Sequence, residues 1–111
     1  MINGHHERTV ITASTASYRE KIITRLRTKP KLAEAYIQAS IEAGDQAALL
    51  VALRTVAEAR GGMSVIAGKS GLKRESVSRA LSATGNPRLS SLTAILAAAG
   101  LQISVKTIKP A

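Results

Sequence analysis

An all-α fold is what this chain of 111 residues predicts, and three observations carry that expectation. Hydrophobic residues make up 45% of the sequence, yet 19 of them are alanine, Trp and Phe are absent, and Tyr18 and Tyr36 are the only aromatics. A core limited to Leu, Ile, Val and Ala suits helices that approach one another closely. Apolar residues recur with a helical period over most of the chain, and Pro or Gly punctuates the gaps between those runs. Domains most often run about 100–150 residues, so one core and a single domain are expected.

Residues 1–16 are polar and rich in Thr and Ser, with one short apolar alternation in "RTVITAS". They read as a flexible N-terminal arm or a short edge strand. From Ser17 the pattern turns helical, with Tyr18, Ile22, Ile23 and Leu26 on one stripe and Arg19, Lys21, Arg25 and Arg27 around it. Pro30 ends that helix and can start the next, whose stripe of Leu32, Ala33, Tyr36, Ile37 and Ile41 runs to a stop at Gly44. These N-terminal helices, over 17–44, are expected to pack on the core formed by 45–111.

Asp45 is placed to cap a helix over about 46–60, the clearest in the chain, in which Leu49, Ala52, Leu53, Val56 and Ala57 recur with helical spacing before Gly61-Gly62. Short units follow: an apolar "MSVIA", a turn at Gly71, "KRESVSRALS", and a break at "ATGNP". Ser90 can cap a last helix carrying Leu92, Ile95, Leu96 and Ala99, closed by Gly100. The tail "LQISVKTI" alternates Leu101, Ile103 and Val105 with Gln102, Ser104 and Lys106, the period of a short, half-buried β-strand. Such a strand needs a partner: the N-terminal arm, the same strand of a second subunit, or another protein.

The formal charge of +9 is unevenly spread. Residues 1–31 carry seven basic and two acidic side chains, residues 32–60 two and four, and residues 61–111 seven and one. Two basic ends flanking an acidic middle point to a polyanionic partner, most often nucleic acid. A membrane surface fits less well, because no segment opposes a basic face with bulky Leu, Phe or Trp. With no cysteine, no secretory signal pattern and no apolar run near the roughly 20 residues of a membrane span, a soluble, cytoplasmic protein is expected. His5-His6 has no third ligand at useful spacing, so no metal or other cofactor is expected. Only seven carboxylates are present, mostly at helical surface positions, and no glycine-rich phosphate loop occurs, so no catalytic residue is assigned and a non-enzyme is expected.

Met63 to Leu81 forms the constellation that carries function. A helix-turn-helix needs a small residue where its helices cross, a residue tolerant of positive φ in the turn, and a branched apolar residue anchoring the second helix. Ala67, Gly71 and Val77 supply these at spacings of four and six, with Ile66, Leu72, Ala80 and Leu81 completing an inner face. If Val77 points inward, Lys73, Arg74, Glu75, Ser78 and Arg79 face outward as base-reading candidates. Arg74 and Arg79 can each grip guanine O6 and N7, Glu75 can accept from cytosine N4, and Ser78 can reach a base edge or a phosphate. Ser64, Lys69, Asn86 and Arg88 surround this helix as candidates for phosphate contact. The plainer reading is a solvated surface in which Glu75 and Arg79 form an i,i+4 ion pair, an arrangement also able to pre-orient the arginine.

The stretch "ALRTVAEARGGMSVIAGKSGLKRESVSRALSATGNPRLSSLTAILAAAGLQISV" resembles the addiction-module antidote family, the HigA-like antitoxins and prophage-type regulators with a λ-repressor-like helix-turn-helix. The shared pattern is an "AL..VA.A.GG" helix, the "A...GL.RE....AL" core, "GNP.L..L" and a closing "GL.I.V". The preceding "AEAYIQASIEAGD" is similar to the family's upstream helix, so the likeness covers roughly 32–105. Two departures stand out: Lys73 occupies a position where the pattern often has a small capping residue, and Val77-Ser78 replaces a bulkier pair. What the resemblance implies is an antitoxin that represses its own operon as a dimer and neutralises a small ribonuclease-type toxin.

The expected function is therefore a sequence-specific transcriptional regulator, the antitoxin of a toxin–antitoxin module. It would bind a palindromic double-stranded DNA operator as a homodimer, with Leu101 to Ile108 as an interface between subunits. The alternative is a protein-interaction module that neutralises a partner toxin through the helices at 17–43 or the terminal strand, with DNA binding secondary or absent.

Overall fold

The computed structural model describes residues 17–109, which form six helices and no strand. Helix α1 covers 17–28, α2 Pro30–Glu42, α3 Gln46–Ala59, α4 Met63–Ser70, α5 Arg74–Ala80 and α6 Leu89–Ala98. The N-terminal arm over 1–16, with its His5-His6 pair, lies outside the described residues. The architecture of what is described is all-α, as the alanine-rich composition requires.

Helix α3 carries more buried residues than any other described helix. Its start is set by Asp45, whose Oδ1 accepts from the backbone N–H groups of Ala47 and Ala48 at 3.0 and 3.3 Å. Leu50, Ala52, Leu53, Val56, Ala57 and Ala59 are buried along it, together with one polar residue, Thr55. The Thr55 hydroxyl is satisfied on both sides: it donates to the Val51 carbonyl at 2.9 Å and accepts from Arg19 Nη1 at 3.4 Å. The same guanidinium reaches Glu58 at 2.8 Å, and Leu26, fully buried, drives α1 against the core. One arginine of the basic first helix is thereby committed to packing.

Pro30 opens α2 at its first position, where its missing N–H costs nothing. Ala33 and Ile37 are buried as expected, but Ile41, expected on the same stripe, is 52% exposed. Ile41 lies in the last turn of α2, just before the chain turns back at Gly44, and borders a hollow instead of the core. Glu42 there holds the tail: Gln38 Nε2 and Lys106 Nζ both donate to its Oε2, at 3.2 and 3.4 Å. The Gln38 hydrogen bond first, then the Lys106 hydrogen bond and charge, hold the Glu42 carboxyl below its usual value. Its tether therefore persists at neutral pH and loosens as the pH falls through that lowered value.

Two expectations are corrected. Ser90 does not cap α6; the N-cap is Arg88, extended at φ −64 and ψ 155, and no side-chain cap is made. Pro87 and Arg88 together set the entry into the helix, which leaves Ser90 inside the first turn. The strand expected over Leu101 to Ile108 is absent. Leu101 still closes α6, its N–H donating to the Leu96 carbonyl at 2.8 Å, but the tail beyond finds no neighbouring strand among the described residues. A two-residue alternation sets which side chains would face a sheet, whereas hydrogen bonding to a second strand is what makes one. Val105 and Ile108 accordingly stand 94% and 93% exposed.

The segment after α5 is fastened back onto α3. Arg54 Nη1 donates to the Leu81 carbonyl at 2.8 Å, and Gln46 Nε2 donates to the Gly85 carbonyl at 3.2 Å. Gly85 lies so close to the end of α5 that a Cβ there would collide with the Ala80 carbonyl. Replacing Arg54 by Leu removes a charge-assisted bond from the carbonyl of buried Leu81, and should lower stability by roughly 1–2 kcal/mol in urea unfolding, with an unchanged denaturant slope.

Candidate nucleic-acid interface

The candidate interface is built on the α4–α5 pair. Helix α4 ends at Ser70, whose hydroxyl donates to the Ala67 carbonyl at 3.1 Å and accepts from Leu72 N–H at 3.3 Å. Gly71 then takes a left-handed conformation at φ 76, ψ 10, and its own N–H reaches the Ala67 carbonyl at 3.0 Å. An L side chain is strained at that φ, which is why glycine stands at this turn. The positions singled out for a helix-turn-helix take these places: Ala67 is buried, Gly71 makes the turn, and Val77 is wholly withdrawn from water. Ile66 and Leu81 are equally buried, and Leu72 and Ala80 pack against them.

Helix α5 has only seven residues, so the side chain that anchors it determines which ones face out. With Val77 and Leu81 inward, Arg74, Glu75, Ser78 and Arg79 are exposed, and Lys73 stands exposed at the N-cap. The Glu75–Arg79 pair does not form. Salt bridges among the described residues join Arg19 to Glu58, Lys31 to Glu34 and Lys106 to Glu42, and none involves α5. The charged side chains of α5 are thus free of ion pairs among the described residues. Glu75 in its first turn and Arg79 in its last both suit the helix dipole. Lys73 supplies no capping oxygen, so the first N–H groups of α5 lack a side-chain cap.

The four phosphate candidates do not form one cluster. Ser64 is exposed in the first turn of α4, and Arg88 is exposed at the N-cap of α6. Asn86 is exposed on the connection between α5 and α6 and lines a hollow of about 320 Å³ with Ile41, Leu49, Pro87 and Leu92. Lys69 instead joins Arg27 and Arg60 around a separate hollow of about 550 Å³, at the C-terminal ends of α3 and α6. Sequence reasoning missed the groups that hold α5 in place from behind, Arg54 and Gln46. The one available signal was a lone arginine inside the apolar run "VALRTV". Among the described residues no helix is long and apolar enough to cross a membrane, and no group of His, Cys, Asp and Glu could hold a metal ion.

Residues 18–107 match the protein family described as probable addiction module antidote protein. The chain belongs to that family. The match begins in α1 and ends in the tail, so it takes in every candidate residue of the antidote's α4–α5 pair and extends further toward the N-terminus than the likeness over 32–105. Membership supports an antitoxin role for this antidote and suggests a cognate toxin as its partner. Searches of the curated proteins and of the solved structures find no match.

The bare N-terminus of α5 has a measurable consequence. Lys73→Ser would supply the missing acceptor and should stabilise the antidote by about 1 kcal/mol in thermal or urea unfolding. If Lys73 serves a DNA contact, the same variant should bind duplex DNA more weakly, so stability and affinity move in opposite directions.

Proposed function

We propose that this antidote is a sequence-specific DNA-binding repressor of its own operon, with α4, Gly71 and α5 acting as a λ-repressor-like helix-turn-helix. The observation that carries this reading is the two-sidedness of α5: Val77 and Leu81 are fully buried, while Lys73, Arg74, Glu75, Ser78 and Arg79 are exposed and outside every ion pair among the described residues. A helix that spends one side on the core and leaves two arginines and a glutamate unpaired on the other is suited to the major groove, where those groups discriminate base pairs. A phosphate oxygen would fill the cap that Lys73 leaves open, and Ser64, Asn86 and Arg88 would position the backbone on either side. The protein acts by binding, in the cytoplasm, and performs no catalysis.

The unit that binds is a homodimer. One seven-residue helix reads few base pairs, and two copies on a palindrome multiply both affinity and specificity. Ile103, Val105 and Ile108 are exposed in the tail, an apolar series that a second copy would cover. Neutralisation of a small ribonuclease-type toxin is the companion activity. It is favoured on the α2 side, where exposed Ile41 borders the apolar hollow lined by Leu49, Leu53 and Leu92.

Arg79→Ala should cost about 1–3 kcal/mol on the preferred duplex and relax the base preference at one position. Equal losses on preferred and random duplex would move Arg79 to the phosphate class, and absence of duplex binding at low salt would end the repressor reading in favour of toxin capture alone. Val105→Asp combined with Ile108→Asp should convert the dimer to monomer in sedimentation and weaken operator binding more than binding of a single half-site.

A further inference from the structure

Three cations converge on the hollow between the C-terminal ends of α3 and α6. Arg27 comes from α1, Arg60 is the C-cap of α3, and Lys69 comes from the last turn of α4. The rest of the lining is Ala59, Gly61 and the run 97–100, with no carboxylate, and none of the three cations enters a salt bridge among the described residues. The nearest acid in sequence to Arg60 is Glu58, which is engaged by Arg19 at 2.8 Å. Arg60 Nε is shielded from water and has no hydrogen-bond partner among the described residues. A buried donor left unpaired is unfavourable, and a guanidinium donor is satisfied best by an oxyanion.

We propose that Arg27, Arg60 and Lys69 form a binding site for a phosphate oxyanion, used by the antidote to hold a backbone phosphate of its DNA outside the stretch read by α5. The planar guanidinium groups of Arg27 and Arg60 match two oxygens of a tetrahedral anion, and Lys69 adds a point charge. Arg27 and Lys69 are exposed, so the hollow is open to a ligand from solvent. The negative ends of α3 and α6 offset the mutual repulsion of the cations when no anion is present. The site lies away from Asn86: Gln46, at the start of α3, bonds Gly85 beside Asn86, whereas Arg60 lies at the opposite end of a helix about 20 Å long. The site therefore gives the protein a further grip on a polyanion, and accounts for part of the basic character of α1.

In its DNA part this inference rests on the base-reading role of α5, and two measurements on the full chain keep the two apart. The first titrates inorganic phosphate at constant ionic strength against chloride, following the Arg60 side-chain Nε–H and the Gly61 and Gly100 amides by NMR. A saturable shift in the wild type, weakened about tenfold in Arg27→Gln and in Lys69→Gln, is expected. These exposed positions are used because Arg60 variants disturb a buried group. The second measures duplex affinity against salt, where each variant should lower the slope by about one, on preferred and random DNA alike, and by more than the surface control Lys31→Gln. Phosphate saturation with slopes like that of the control would retain the site and assign it to free phosphate instead of DNA. No saturable response in the wild type, or equal responses in the variants, would overturn the site and leave the three cations as neutralisers of helix ends. A wild type that binds no duplex at all would defeat the α5 reading, while the phosphate titration would still decide the pocket.

Discussion

Seven of the fourteen residues of α3 are withdrawn from water, and because they lie on more than one side of the helix, more than one neighbour must cover it. The residues involved are small: Ala52, Ala57 and Ala59 let other backbones come close, while Leu50, Leu53 and Val56 fill the space between. Helices α2 and α4 meet it directly, while α5 and α6 pack on α4 and on each other. Helix α1 is drawn in by Leu26 and oriented by the Arg19 contacts to Thr55 and Glu58, and α2 lays Ala33 and Ile37 into the same core. The α4–α5 pair is closed by Val77 and Leu81 and tied back through Arg54.

That arrangement explains how so short a helix as α5 can present a defined surface. Seven residues have little helical stability in water by themselves, so α5 must draw its order from the side it buries and from the groups at its ends. The left-handed turn at Gly71 precedes it, and the Leu81 and Gly85 carbonyls behind it are each held by a side chain of α3. The exposed side can then carry Arg74, Glu75 and Arg79 without internal partners, a combination suited to meeting another charged molecule. Of the two ends of α3, one supports the connection beside Asn86 and the other borders the three-cation hollow.

Much of this was legible from residue spacing. Asp45 as a cap, Pro30 as a helix start, Gly71 as the turn and Val77 as the anchor are decided by backbone geometry and helical period, and each takes the expected place. Ile41 and the tail were read less well because period alone says which residues share a face and nothing about what will cover it. Arg19 and Arg27 are both basic residues beside the apolar stripe of one helix, yet Arg19 is consumed by Glu58 and Thr55 while Arg27 reaches a hollow shared with Arg60 and Lys69. No local pattern joins residues 27, 60 and 69.

The sequence by itself determined the helical class, the ends of most helices and the orientation of α5, because capping, glycine turns and the 3.6-residue period act within a few residues of chain. The tertiary structure alone decided the absence of a strand in the tail, the fastening of α5 by Arg54 and Gln46, and the grouping of cations into the hollow at the end of α3. The fastening joins residues 27 and 39 positions apart and the hollow joins ends of four helices, and such meetings are set by how the helices pack and not by the residues beside each one.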